Sequence, residues 1–288
     1  IKNSKILVIG DTILDQYTAC EALGMSAEAP VIVVKELEQK SFLGGAAIVA
    51  SHIASLGSAC KFVSIIGDDD QGSWVKKSLL ENSVDTDLFI DNTRPTTFKK
   101  RYIVENQKLF RVSRLDDHLV NSELTEKILN KIFSIAEEVD GIIISDFAYG
   151  LITNRLLDGL IEFAKNKNIK LYGDSQCSSQ IGDISRLKNF TLLCPNEKEA
   201  RISLQAKDIG LDELCRNLIS KTKSQNLIMK LGADGFVVYA KEKNKDFRIQ
   251  AFPALSVNPL DVSGAGDTLL SIMAAGMSSN SSIMSVAA

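Results

Sequence analysis

The stretch GIIISDFAYGLITNRLLDGLIEFAKNKNIKLYGD, residues Gly141 to Asp174, decides the fold. It opens on a short apolar run, Gly141–Ser145, that ends in an acid, Asp146. A helix is predicted over Asn154–Asn166, and a second strand, Ile169–Gly173, ends in another acid, Asp174. Strand, helix and strand in this order argue for neighbouring parallel strands joined by a crossover helix.

The same rhythm extends in both directions. Upstream lie a helix over Ser122–Val139 and strands Lys5–Gly10 and Cys60–Ile66, with helices over Ala46–Leu56 and about 71–82. Downstream come Phe190–Leu193, a helix over Glu197–Leu204, another over Leu211–Thr222, and strand Asn226–Lys230. Gly235–Ala240 and Lys245–Phe252 read as a further strand pair, and Thr268–Gly276 and Ser281–Ala288 as small-residue helices. The fold class is therefore α/β, with a mainly parallel central sheet and helices on both faces. Ligands of such sheets bind beyond the carboxyl ends of the strands. Asp11, Gly67, Asp146, Asp174 and Asn196 all fall there, so one rim is expected to collect them.

Residues 88–115 break the rhythm. Thr96–Val104 and Leu109–Ser113 read as two strands joined around Glu105-Asn106-Gln107 without an intervening helix. With Val31–Leu37 they predict a small second sheet, drawn from about 12–40 and 88–115.

Composition narrows the possibilities. The 288 residues are 45% hydrophobic and 24% charged, with 33 basic and 36 acidic side chains and a net charge of −3. That balance offers no basic surface for nucleic acid, and no apolar run reaches the length of a membrane span. Five scattered cysteines and two histidines show no zinc spacing; reduced thiols in a cytoplasmic protein are expected. The chain begins at Ile1 and stops at Ala288 within a helical pattern, so a longer protein is expected.

The chemistry concentrates in Asp261-Val262-Ser263-Gly264-Ala265-Gly266-Asp267-Thr268. Gly264, Ala265 and Gly266 free the backbone to present successive N–H groups at the start of a helix, where phosphate oxygens are favoured. Asp267 in the first turn can accept a proton from an attacking hydroxyl while that cradle stabilises a transferring phosphoryl group. A plain turn followed by a dipole-matched acid is the alternative. There is no Gly-Lys-Ser/Thr of a Walker loop, and no dinucleotide fingerprint to support an oxidoreductase.

These segments resemble the PfkB (ribokinase-like) carbohydrate kinase family. The match lies in Asp261–Thr268, in Gly44-Gly45-Ala46-Ala47, and, more narrowly, in motifs of D-glycero-β-D-manno-heptose 7-phosphate kinase domains. Those motifs are Val8–Asp15, Ser26–Val31, Pro95-Thr96 with Lys99, Arg101, Asn106-Gln107 and Arg111, Ser145–Gly150, and Pro195–Glu199. The resemblance implies one ribokinase-like three-layer kinase domain over 1–288, with the small sheet as a lid. It implies Asp267 as base, Gly264, Ala265 and Gly266 as anion hole, and Asp11, Asp15, Gly44 and Gly45 as sugar ligands, with Asp11 alternatively a cap on the turn after the first strand. Lys99, Arg101 and Arg111 would hold a phosphate already on the substrate, or serve only as solubilising strand charges. Asn196 and Glu199 would organise Mg²⁺ through water, or simply start a helix. Lys230, Gly232 and Gly235 would line the ATP pocket, or form a hairpin turn. A homodimer through the lid and a fused or partner nucleotidyltransferase, marked by His-x-Gly-His, are also implied.

Three positions depart from the family pattern. Ile48 replaces a sugar-contacting Asn. Gly173-Asp174-Ser175-Gln176 keeps the acid of the family's Asp-Pro-Lys segment and loses its lysine. Val262-Ser263 stands where Thr-Thr or Val-Thr is common. A different sugar, or a catalytically silent sugar- or nucleotide-binding module, stays open on these grounds.

Overall fold

Strand β1 (Lys5–Gly10) is apolar on both faces and lies inside a nine-stranded sheet. The computed structural model describes residues 4–105, 107–177, 180–242, 246–254 and 263–288. After β1 come a long hairpin, β2 (Thr12–Met25) and β3 (Ile32–Gly45), and helix α1 (Ala46–Ser55). Strand β4 (Ala59–Ile66), helix α2 (Asp70–Glu81) and strand β5 (Asp85–Ile90) return to the large sheet. A second hairpin, β6 (Phe98–Val104) and β7 (Gln107–Arg114), leaves it again.

Alternation then follows: α3 (Ser122–Ala136), β8 (Gly141–Asp146), α4 (Asn154–Lys167) and β9 (Lys170–Ser175). The short β10 (Leu192–Leu193), α5 (Glu197–Leu204), α6 (Leu211–Thr222) and β11 (Asn226–Lys230) continue it. The chain ends with β12 (Phe236–Ala240), β13 (Arg248–Phe252), α7 (Ala265–Ser278) and α8 (Ile283–Ala287).

The large sheet has the order β13-β12-β11-β10-β9-β8-β1-β4-β5. From β11 to β5 the pairing is parallel, and β12 and β13 add an antiparallel edge. Side chains alternate across it. Leu7, Ile9, Ile142 and Ile144 pack with Ile128, Leu156, Leu160 and Leu218 of α3, α4 and α6. Ile6, Val8 and Ile143 pack with Ala50, Ile53, Val75 and Met273 of α1, α2 and α7. Each such aliphatic side chain contributes roughly 1.5–3 kcal/mol, which is why these strands read as unbroken apolar runs. Local caps fix the helix starts: Asn121 accepts from the Leu124 N–H and Thr153 from the Leu156 N–H.

The second sheet has the order β3-β2-β6-β7 and stands over the carboxyl-end rim. It differs from the sequence expectation in two respects. Residues 12–25, which carry no clear strand pattern, form a 14-residue strand bonded to β3 on one side and β6 on the other. Residues 88–90, expected in the small sheet, belong to β5 at the edge of the large one, paired in parallel with β4. Between the sheets the buried Arg94 acts as a staple. It donates to Asp91 Oδ2 (2.7 Å), the Tyr149 carbonyl (2.7 Å) and the His118 carbonyl (2.5 Å).

Candidate active site

A cleft of about 930 Å³ separates the small sheet from the strand-end rim. From the small sheet, Asp15, Lys99, Arg101 and Arg111 line it. Register explains the grouping: Asp15 lies opposite Lys99, and Arg101 opposite Arg111, so alternate residues of β2, β6 and β7 share one face. Arg101 pairs with the Asp15 carboxylate, and its guanidinium sits 5.2 Å from the centre of the Tyr17 ring. The Lys99 ammonium stands 5.1 Å from the Tyr149 ring centre, and the residue is only 3% exposed. β3 passes so close to β2 that any side chain at Gly44 would collide with the Asp15 carboxylate.

The opposite wall is the start of α7. Gly264 takes a left-handed conformation (φ 80°) that turns the chain into the helix, and Gly264, Ala265 and Asp267 face the cleft. The first N–H groups of α7 have no partner within the helix and carry its positive end. Asp267, in that first turn, is 8% exposed. Burial, then the nearby Asp174 carboxylate, push its carboxyl up to about 7, with Lys230 opposing. The Gln176 amide reaches its Oδ1 at 3.4 Å. The cleft thus sets a carboxylate of near-neutral pKa at a helix start, opposite a second acid and three cations. That is an arrangement for taking a proton from a bound hydroxyl while anionic groups are held.

Residues 3–287 match the model of the pfkB family carbohydrate kinases. The chain belongs to the pfkB family. A bifunctional protein HldE of Helicobacter hepaticus is 33% identical over 288 residues, covering 98% of this chain and 58% of that protein. A Campylobacter jejuni bifunctional protein HldE is 31% identical over 275 residues, covering 94% of this chain and 56% of its own length. The chain therefore spans a little over half the length of these relatives. Phosphofructokinase-2 from Escherichia coli, solved in complex with substrates and products, superposes with a TM-score of 0.80 at 17% identity. The match covers 99% of this chain and 89% of that one, and it fixes the ribokinase-like fold.

Within this pfkB fold, the residues expected at the site divide into three groups. Asp15, Gly44, Gly45, Lys99, Arg101, Arg111, Gly264, Ala265 and Asp267 meet on the cleft. Asp11, expected to hold sugar hydroxyls, does not line it. It is 2% exposed, and its carboxylate accepts the backbone N–H groups of Phe147 (2.9 Å), Tyr149 (3.2 Å) and Leu151 (3.3 Å). Asp11 ties down the loop after β8; its carboxyl is pushed up to about 7 by burial first and Asp146 second.

The third group lies behind or beside the cleft. Asn196 and Glu199 form a reciprocal capping box at the start of α5: Asn196 Oδ1 accepts from the Glu199 N–H, and Glu199 Oε2 from the Asn196 N–H. Glu199 is buried, and burial, then Asp174, raise its carboxyl to about 7. Lys230 pairs with Asp174 at 2.5 Å, and Gly266 faces it. Gly232 and Gly235 shape the turn between β11 and β12. Asn106, Asp261 and Val262 lie outside the described residues.

Two further residues of the cleft carry no motif in the sequence. His52 lines the cleft, and its Nδ1 lies 3.3 Å from Thr268 Oγ1. Gln176, noticed only as a lost lysine, touches the Asp267 carboxylate. The i, i+4 relation of His52 to Ile48, also on the cleft, was the available signal for the histidine.

Proposed function

We propose that this carbohydrate kinase transfers the γ-phosphoryl group of ATP to a hydroxyl of a phosphorylated sugar, with the anomeric hydroxyl of D-glycero-β-D-manno-heptose 7-phosphate as the best candidate. One observation carries the reading: Asp267 at the start of α7 shares a cleft with Asp15 and with the cations Lys99, Arg101 and Arg111. Asp15 orients the hydroxyl-bearing end of the sugar, and the cations bind the phosphate it already carries. Asp267, as the anion, accepts the proton of the attacking hydroxyl. The oxygen forms its bond to the γ-phosphorus as the bond to the β–γ bridging oxygen breaks, and ADP leaves. The N–H groups at the Gly264–Gly266 turn stabilise the charge on the transferring group.

Magnesium would shield the phosphate charges. Asn196 and Glu199 offer hard oxygen donors, but both already serve the α5 capping box, so they suit the ion through its waters. Gly232 and Gly235 would border the adenosine. The small sheet would act as a lid that excludes water. Its exposed Leu23, Val31, Ile32, Leu37 and Phe110 suit a lid-to-lid homodimer. A nucleotidyltransferase, on the same chain or as a partner, would fit the word bifunctional in the relatives' names. An ATP-dependent step with five free cysteines suits the cytoplasm; among the described residues no helix is long and apolar enough to cross a membrane.

The test is ATP consumption measured across free and phosphorylated sugars, including heptose 7-phosphate. The reading expects turnover with a sugar phosphate and its loss in Asp267→Asn. Sugar binding by calorimetry without ATP consumption would instead mark a silent binding module.

A further inference from the structure

Lys230 closes β11 with its side chain beneath the floor of the cleft. Its ammonium lies 2.5 Å from Asp174 Oδ2, and a Cβ placed on Gly266 would stand only 3.0 Å from the Lys230 Nζ. The amine is therefore directly behind the Gly264–Gly266 turn. Asp174 is 1% exposed, and its Oδ1 has no partner among the described residues. Three acids, Asp174, Glu199 and Asp267, converge on this one cation. Burial alone would lower the Lys230 pKa, but Asp174 and Glu199 outweigh it, so the amine stays charged. The resemblance to the family's Asp-Pro-Lys segment implies a lysine at position 176, where this chain has Gln. Gln176 reaches Asp174 Oδ2 at 3.5 Å and Asp267 Oδ1 at 3.4 Å with an uncharged amide.

We infer that Lys230 is the positioning cation of the phosphoryl-transfer site, replacing from β11 the lysine that position 176 lacks. It acts through two neighbours. Behind Gly266 it adds a fixed positive charge to the helix start that cradles the phosphoryl group. Paired with Asp174, it screens that acid from Asp267, whose proton affinity an unpaired Asp174 would raise further. A purely structural pair is a weaker account, because buried ion pairs seldom add net stability over uncharged replacements. The inference rests on the kinase reading and adds the source of positive charge behind the anion turn.

The test compares Lys230→Gln, Lys230→Gln with Asp174→Asn, and Lys230→Gln with Gln176→Lys. The second variant keeps an uncharged hydrogen-bonding pair and so protects the fold; the third returns the cation to position 176. Steady-state kinetics are read beside calorimetric binding of AMP-PNP and of ADP, both with magnesium. In the first two variants kcat should fall by about 100-fold, a loss comparable to removing one oxyanion donor, with sugar KM within about threefold. Their preference for AMP-PNP over ADP should disappear, and the relocated lysine should recover at least about tenfold in kcat. A folded second variant with kcat within about threefold of the parent would overturn the inference, as would a folded third variant without recovery. If the parent turns over no sugar, the kinase reading fails separately. The AMP-PNP and ADP comparison then judges Lys230: an unchanged preference defeats the inference, and a lost one upholds it.

Discussion

Asp267→Asn should make the protein inactive and more stable at once, and the second effect has a pH signature. The Asp267 carboxyl is raised from the ordinary 3.8 to about 7 in the fold, first by burial and then by Asp174. The folded state thus prefers the protonated acid, and keeping it ionised costs stability. The penalty is absent below the unfolded-state pKa, grows between about pH 4 and 7, and is constant above that. At about 1.4 kcal/mol per pH unit, the interval from 3.8 to about 7 corresponds to an upper figure near 4 kcal/mol. Relaxation and water entry reduce it, so roughly 2–4 kcal/mol is expected at pH 8. Asparagine escapes the penalty and can still accept the Gln176 amide through its own Oδ1. Thermal melts should place the variant roughly 5–10 °C above the parent at pH 8 and within about 2 °C of it at pH 4.5. Release of ADP should fall by at least about 10³-fold. In the parent, kcat/KM should rise with pH to a plateau above about 7, because only the anion can take the proton. A stability difference that does not change between pH 4.5 and 8.5 would refute the buried-acid argument. Retained turnover would refute the base.

Three further substitutions probe other parts of the site. Gly44→Ala puts a methyl against the Asp15 carboxylate, so sugar KM should rise by at least about tenfold with the melting temperature within about 3 °C; unchanged KM would remove Asp15 from sugar binding. Arg101→Gln removes a phosphate ligand and also unpairs Asp15, so KM should rise for both sugars but by roughly 10–100-fold more for the sugar phosphate, and an equal effect on both would exclude a phosphate-binding role. Arg94→Met breaks the staple among Asp91, Tyr149 and His118 and leaves Asp91 buried without its cation. Urea denaturation should show a loss of about 3–5 kcal/mol, and a loss below about 1 kcal/mol would mean the loops hold without it.

How much of this could be read from the chain depended on how local each feature is. The middles of strands β1 and β8 are apolar and the strands are buried because both of their faces are covered, and short apolar runs followed by acids mark β1, β8 and β9. β2 falls within the 12–40 region expected in the small sheet but shows no strand pattern, because only its first residues, Thr18 and Cys20 are buried; pairing with β3 and β6 makes it a strand. β5, DTDLFI, is a short, polar-rich edge strand, so its end was assigned to the wrong sheet. Asp11 follows the rule that strand-end acids face ligands, yet a turn 136 to 140 residues later supplies the N–H groups that occupy it. The Asn-x-x-Glu motif fits both a cap and a water-mediated metal site, and the structure forms the cap.

The division runs through the candidate site itself. The glycine turn and Asp267 lie within one helical turn, so the short string Gly264–Asp267 is enough to propose them as anion cradle and base. What sets the behaviour of that base is assembled from elsewhere. Asp174 and Gln176 come from the end of β9 and Lys230 from the end of β11, two strands that flank β10. Their meeting depends on strand order, which no local pattern encodes. That is why a lysine missing at position 176 looked like a weakened kinase in the sequence. In the fold, a charged amine stands against Gly266 of that turn, entering from a different strand.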